Sequence, residues 1–365
     1  MTLFAELGLR YPIIQAPMAG VQDSALTLAV TRAGALGSLP AAMLSLATLR
    51  EELSRLATSG GPFNINFFCH RQEAPDPAAQ AHWLQRLAPY YDEYGVRDTA
   101  GTAAPSRAPF NAEHAAMVVE FKPAVVSFHF GLPEPELLAR VKASGAKVLA
   151  SATTVAEARW LADHGADAVI AQGLEAGGHR GHFLEDDLSL QQGTFSLLPQ
   201  IVEAVRLPVI AAGGIVDGRG IRAALALGAS AVQMGTAFLC CHEATTSALH
   251  RAALYSPAGR HTALTNLFSG RPARGIVNRL MRELGPLSED VPAFPHASGA
   301  LAPLRSAAEQ RGDTGCSPLW AGQNVSGCRD WSVAELISRW VKEAGLAEVM
   351  PIIGSQCGRW LKREG

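Results

Sequence analysis

The sequence predicts an α/β protein of the (β/α)8 TIM-barrel class with a mainly helical C-terminal lid or small lobe. Short apolar or β-branched runs alternate with helix-like segments through most of the chain. Eight such runs occur, which favours a closed barrel over an open sheet. In two places a helix pattern ends at a glycine and a buried run starts almost at once, as Gly165-Ala166-Asp167-Ala168-Val169 and Gly228-Ala229-Ser230-Ala231-Val232. That shared grammar supports repeated β/α units but is too short to establish a duplication.

The expected strands are residues 12–16, 35–38, 63–67, 124–128, 147–151, 168–172, 208–212 and 231–234. Helix patterns fill the intervals, at 24–33, 46–56, 133–144, 155–164, 195–205 and 218–227. The alternation breaks twice. Residues 72–109 are rich in Ala and Pro and predict extra helices between the third and fourth strands. From Leu239 the chain reads mainly helical, with a Pro/Gly/Ser-rich section at 286–327 and a final helix at 332–344. The expected division is therefore a core barrel over 1–238 and an extension over 239–365 that packs on it and is not independent. Composition leaves open whether 286–327 is an ordered lid or loose loops.

With 48% hydrophobic residues, a large core needs neither metal nor disulfide. A formal net charge of −2 gives no argument for nucleic acid or an anionic surface as partner. The N-terminus has no basic segment followed by an apolar core, and no run is long enough to span a bilayer, so a soluble cytoplasmic protein is expected. Monomer and homodimer both remain open. The six cysteines, Cys69, Cys240, Cys241, Cys316, Cys328 and Cys357, show no C-x-x-C spacing, which argues for free thiols and against structural zinc.

The segment Gln172 to Gly181 is the strongest pointer to a site. A buried run ends there in glycines, which let backbone approach a ligand, and in His179, whose ring exchanges protons near neutral pH. Barrel ligands sit at the C-terminal strand ends. Those ends carry Gln15 and Met18, Asn66, His129, Gln172 and Gly177, Gly213-Gly214, and Gln233-Met234-Gly235-Thr236. Amides, glycines and a hydroxyl recur, and carboxylate clusters do not. That set argues against a metal-dependent hydrolase and for a neutral planar ligand whose phosphate lies on backbone N–H groups after strands seven and eight. Met18 equally suits plain core packing.

In ordered motifs over nearly the whole chain, the sequence resembles the nitronate monooxygenase family, also called 2-nitropropane dioxygenases, which are FMN-dependent β/α barrels. The motifs are Gln15-Ala16-Pro17-Met18, Asn64-Ile65-Asn66-Phe67-Phe68, Ser127-Phe128-His129-Phe130-Gly131, the Gln172 to Gly181 loop, Ala212-Gly213-Gly214-Ile215, Gln233-Met234-Gly235-Thr236, Phe268-Ser269-Gly270-Arg271-Pro272-Ala273-Arg274-Gly275 and Leu319-Trp320-Ala321-Gly322-Gln323. The resemblance implies that Gln15 and Met18 lie against the flavin, that Asn66 and Gln172 bond its ring or ribityl region, and that Gly177 approaches it closely. Gly213, Gly214, Gln233, Met234, Gly235 and Thr236 would cradle the phosphate, and His179 would act as general acid/base beside the reacting substrate atom.

The implied activity is oxidation of an alkyl nitronate by dioxygen to a carbonyl compound and nitrite. Alternatives on the same barrel are an FMN-dependent enoyl-acyl-carrier-protein reductase, an NAD(P)H:quinone reductase, and a non-catalytic flavin-binding protein. Ser151 stands where some relatives place a lysine, so no cation is assigned there. Arg180, Arg271 and Arg274 read as solvated surface residues or as attractors of an anionic substrate. His70, His242, His250 and His261 read as structural or surface residues, and Glu175 as a cap for backbone N–H groups.

Overall fold

A computed structural model describes residues 3–97 and 107–346. Its strands, in chain order, are β1 (Ile13–Gln15), β2 (Gly37–Pro40), β3 (Phe63–Phe68), β4 (Val125–His129), β5 (Lys147–Ala152), β6 (Ala168–Gln172), β7 (Gly178–His179), β8 (Val209–Ala212), β9 (Ala231–Met234), β10 (Thr262–Thr265) and β11 (Ala273–Ile276). Eight of them form one parallel sheet in the order β1-β9-β8-β6-β5-β4-β3-β2. Closure comes from β1 meeting the chain before β2: Gln15 N–H donates to the Leu36 carbonyl at 2.9 Å, and Leu36 N–H to that of Ile13 at 2.9 Å. The expected barrel is present.

Both faces of the strands in the parallel sheet are largely buried, which explains the nearly unbroken apolar runs. Ile14, Leu36, Val125, Leu149, Ile170 and Ile210 fill the interior. Ile13, Ile65, Val126, Val148, Val169 and Val232 pack outward against the helices. Gly165 and Gly228 take φ of 99° and 96°, the left-handed turn that ends a helix and starts the next strand.

The two breaks in the alternation fold onto each other. Helix Pro77–Tyr94, inside the first break, packs on helix Ala297–Gln310, inside the second. Trp83, Leu87, Tyr90 and Tyr91 meet Leu280, Leu301, Leu304 and Ala308 in a second apolar core. Within 286–327, the helix Ala297–Gln310 buries Leu301 and Leu304 in that core. The final helix, Val333–Ala344, lies against helices Gly218–Ala226 and Ser24–Arg32 in the ring around the barrel. Gly218 allows that contact, since a Cβ there would stand 2.3 Å from Cβ of Glu343.

A feature the sequence did not announce is the antiparallel sheet β10-β11-β7, in which Ala273 pairs with His179. It clamps the glycine loop over the barrel mouth. Among the described residues no helix is long and apolar enough to cross a membrane. Cys69, Cys240, Cys241, Cys316 and Cys328 are free thiols, and Cys357 lies outside the described residues.

Candidate active site

The C-terminal strand ends open into a cavity of about 310 Å³. Met18, Asn66, Gln172, Gly177, His179, Gly213, Gly214, Gln233, Gly235 and Thr236 line it, as does His129. Gln15 and Met234 do not. Gln15 is fully buried, its Nε2 donating to Gln22 Oε1 at 2.7 Å and its Oε1 accepting from Ser38 N–H at 3.0 Å. Met234 is buried between strands and helices. Strand alternation is the reason: with Gln233 on the cavity, its neighbour Met234 must turn outward.

At one end of the cavity the backbone presents donors. Gly213 and Gly214 adopt φ of 121° and 72°, a region that favours glycine. Among the described residues the N–H groups of Gly214, Gly235 and Thr236 meet no acceptor. A Cβ on Gly214 would come 3.3 Å from Glu175 Cβ, and one on Gly235 would come 3.3 Å from Ala16 Cβ. N–H groups without acceptors, following the adjacent strands β8 and β9 on a cavity wall, suit an oxyanion. Glu175 also lines the cavity, but its carboxylate is spent on helix Thr194–Ala204, accepting from the Thr194 N–H at 2.8 and 3.0 Å and from its hydroxyl at 2.8 Å. The buried Gln233 Oε1 also lacks a partner. Gly177 is small for another reason as well, because a Cβ there would stand 2.6 Å from the Ala321–Gly322 peptide.

The other end is built around His179. Its carbonyl accepts from Gln172 Nε2 at 2.9 Å and from His129 Nε2 at 3.1 Å. Gln172 also accepts from Gly181 N–H at 2.8 Å, so its amide is committed to shaping the loop. Because a carbonyl can only accept, His129 carries its proton on Nε2, and its Nδ1 takes the Ser151 hydroxyl at 3.0 Å. Ser151 therefore orients His129. Asn66 Nδ2 donates to Ser127, at 3.0 Å to the hydroxyl and 3.2 Å to the carbonyl, which leaves its Oδ1 to accept.

The His179 ring lies among Phe294, Trp320, Phe68 and Phe130, with centroids 5.5, 5.7, 6.1 and 6.1 Å away. Its Nε2 is 2.8 Å from Ser269 Oγ. That hydroxyl donates to the Arg271 carbonyl at 3.2 Å, so it receives Nε2–H and leaves Nδ1 unprotonated. Burial, then the positive charge of Arg107 and the neighbouring His129 and Arg271, push the ring's pKa well below its usual 6.5. The expectation of a group poised near neutral pH is corrected: His179 rests neutral.

Burial depresses other histidines too. His129 falls to about 3. His70, buried with both ring nitrogens unpartnered, and His250, which lines the cavity, fall to about 4. His242 and His261 are exposed.

The arginines are not the solvated surface residues expected. Arg180 is fully buried and donates to Gln191 Oε1 at 2.7 Å, the Gly173 carbonyl at 2.8 Å and the Gln172 carbonyl at 2.9 Å. Burial lowers its pKa to about 9. Arg274 is buried and holds the Leu174 carbonyl at 2.8 Å. Arg271 lies over Phe130, 4.3 Å from the ring centroid, and donates to the His182 carbonyl. Loop carbonyls are thus the partners of Arg180 and Arg274, and no sequence motif marks such pairs. Arg107, which also lines the cavity, escaped the sequence reading because it stands alone in the Ala/Pro-rich stretch.

The sequence profile of the family described as nitronate monooxygenase matches residues 2–343. The chain belongs to that family. A nitronate monooxygenase of Paraburkholderia phytofirmans is 44% identical over 346 residues, covering 93% of this chain and 94% of the relative. Among solved structures, the nitroalkane oxidase from Streptomyces ansochromogenes superposes with a TM-score of 0.85 at 40% identity, covering 93% of this chain and 98% of the other. FabK from Thermotoga maritima is less similar, with a TM-score of 0.70 and 27% identity over 94% of this chain and 96% of the other. Nitronate monooxygenases are in general flavin-dependent oxidoreductases, and that dependence suits the cavity's amides and anion cradle.

Proposed function

We propose that this chain is a nitronate monooxygenase that holds FMN and oxidises alkyl nitronates with dioxygen to a carbonyl compound and nitrite. The single observation that carries the FMN assignment is the set of unpaired N–H groups on Gly214, Gly235 and Thr236, a donor set for a terminal phosphate. Bound flavin supplies the redox chemistry, taking electrons from the nitronate and passing them to dioxygen. Met18, Asn66 and Gly177, which line the cavity, would border the ring and ribityl region, and Gly213, with the Gln233 amide beside it on the next strand end, would shape the turn under the phosphate.

His179 offers the nitronate a neutral ring with a bare Nδ1. A base with so depressed a pKa removes a carbon-bound proton poorly at neutral pH, so the site suits a substrate already deprotonated. With Nε2–H spent on Ser269, His179 has no N–H to offer the nitronate oxygens, and its Nδ1 is an acceptor that would take a proton from a protonated substrate or product and return it to solvent. The surrounding Phe68, Phe130, Phe294 and Trp320 make this part of the cavity apolar, which strengthens each electrostatic contact. A cytoplasmic location, with nitronate and dioxygen as small-molecule partners, belongs to the same reading.

Oxygen uptake and nitrite release on addition of ethyl nitronate test the assignment. Uptake driven by NADH and a quinone, with no response to nitronate, would favour the reductase alternative.

A further inference from the structure

We infer that Arg107 is the anion-recognising residue of this site, holding the two oxygens of the nitronate opposite His179. Arg107 lines the cavity. Its guanidinium carbon lies 5.9 Å from the centroid of Phe294, whose ring centroid is 5.5 Å from that of His179, so the two polar groups share one aromatic neighbour. Of the charged groups acting on His179, Arg107 acts most strongly.

Arg107 combines a place on the cavity wall with a donor fork that is little used among the described residues. Among the described residues its hydrogen bond is Nη1 to Ser298 Oγ at 3.2 Å. Among the described residues no carboxylate stands at ion-pair distance from it. Arg180, by contrast, spends three donors on fixed acceptors, Arg274 holds the Leu174 carbonyl, and Arg271, bonded to the His182 carbonyl with its buried Nε unpartnered, is not among the residues that line the cavity. A desolvated cation without a counter-ion is costly, and an anionic ligand offsets that cost. The ligand matching it is planar, delocalised and carries two oxygens side by side, since a guanidinium donates two parallel N–H bonds to such a group. A nitronate has that shape and charge, and a neutral nitroalkane lacks the charge.

Arg107 belongs to the stretch before β4, and Ser298 to the helix Ala297–Gln310 after β11. The hydroxyl therefore fixes the guanidinium where the two inserted segments meet, over the reacting end of the cavity. The inference rests on the nitronate assignment for the identity of the substrate, but the anion subsite is testable alone.

The test uses holoenzyme and the variants R107Q and R107K, with nitrate as a planar oxyanion probe. Flavin content, the nitrate dissociation constant by calorimetry, and kcat and KM for ethyl nitronate and nitroethane are measured. R107Q is expected to retain flavin and to raise the nitrate Kd and the nitronate KM at least about tenfold while kcat stays within about threefold. R107K keeps the charge without the fork and falls between. Absence of nitrate binding to the unmutated protein, unchanged constants in R107Q, or loss of flavin would each overturn the inference. If R107Q does not fold, R107K decides, and an unchanged nitrate Kd there overturns it. Failure of the unmutated enzyme to consume nitronate sinks the functional assignment instead, while the nitrate titration still judges Arg107.

Discussion

Nε2 of His179 and Oγ of Ser269 are 2.8 Å apart, and the hydroxyl's own proton is committed to the Arg271 carbonyl. Ser269 thereby fixes which imidazole nitrogen is bare. H179N should lower kcat on ethyl nitronate by about 10²-fold or more while leaving the flavin bound. S269A should have a smaller effect, about tenfold, because the ring remains but its orientation loosens. Steady-state kinetics with flavin quantitation checks both, and full activity in H179N removes the proposed role of His179.

The pH profile of kcat should show no step from His179 near pH 6.5, because burial and Arg107 hold its pKa well below that. A rate step there that disappears in H179N would contradict the environment described.

Stability should fall as pH drops below about 6.5, where unfolded imidazoles begin to ionise. Folded pKa values are depressed, to about 4 for His70, His182 and His250 and about 3 for His129, so the unfolded chain binds more protons between these limits. Each such group removes up to about 1.4 kcal/mol per pH unit in that window. Thermal unfolding at pH 7, 6 and 5 measures it, and a midpoint that rises on acidification would be the wrong sign.

G214V should give a folded protein with little flavin. Valine is strained at φ 72°, and its Cβ crowds Glu175 beside the unpaired N–H groups. The absorbance ratio of the purified variant reports the loss, and a full flavin complement would remove the cradle assignment.

R180M should destabilise the fold by several kcal/mol, since it strips the Gly173 and Gln172 carbonyls and Gln191 of one buried donor group. Chemical denaturation measures this. A change under about 0.5 kcal/mol would mean that Arg180 is not the pin of the glycine loop.

The barrel was legible because each strand is buried on two faces and so reads as a short apolar run, and because Gly165 and Gly228 punctuate the repeats. Most of the cavity wall was legible for a related reason, as strand ends followed by glycine have few other uses. Gln15 and Met234 were misplaced although alternation along their own strands could have turned Met234 outward once Gln233 was set inward. The β7–β11 pairing was not legible, since β7 has two residues and its partner lies about a quarter of the chain away. Nor was the depressed pKa of His179, because it arises from burial among aromatic rings and then from Arg107, all drawn from distant segments.

The most direct measurement is the visible spectrum of the purified protein, followed without oxygen as ethyl nitronate and, separately, NADH are added, with the released cofactor then identified. A nitronate monooxygenase holding FMN predicts a yellow protein that releases FMN and bleaches with the nitronate. A colourless protein, or bleaching by NADH alone, would contradict it.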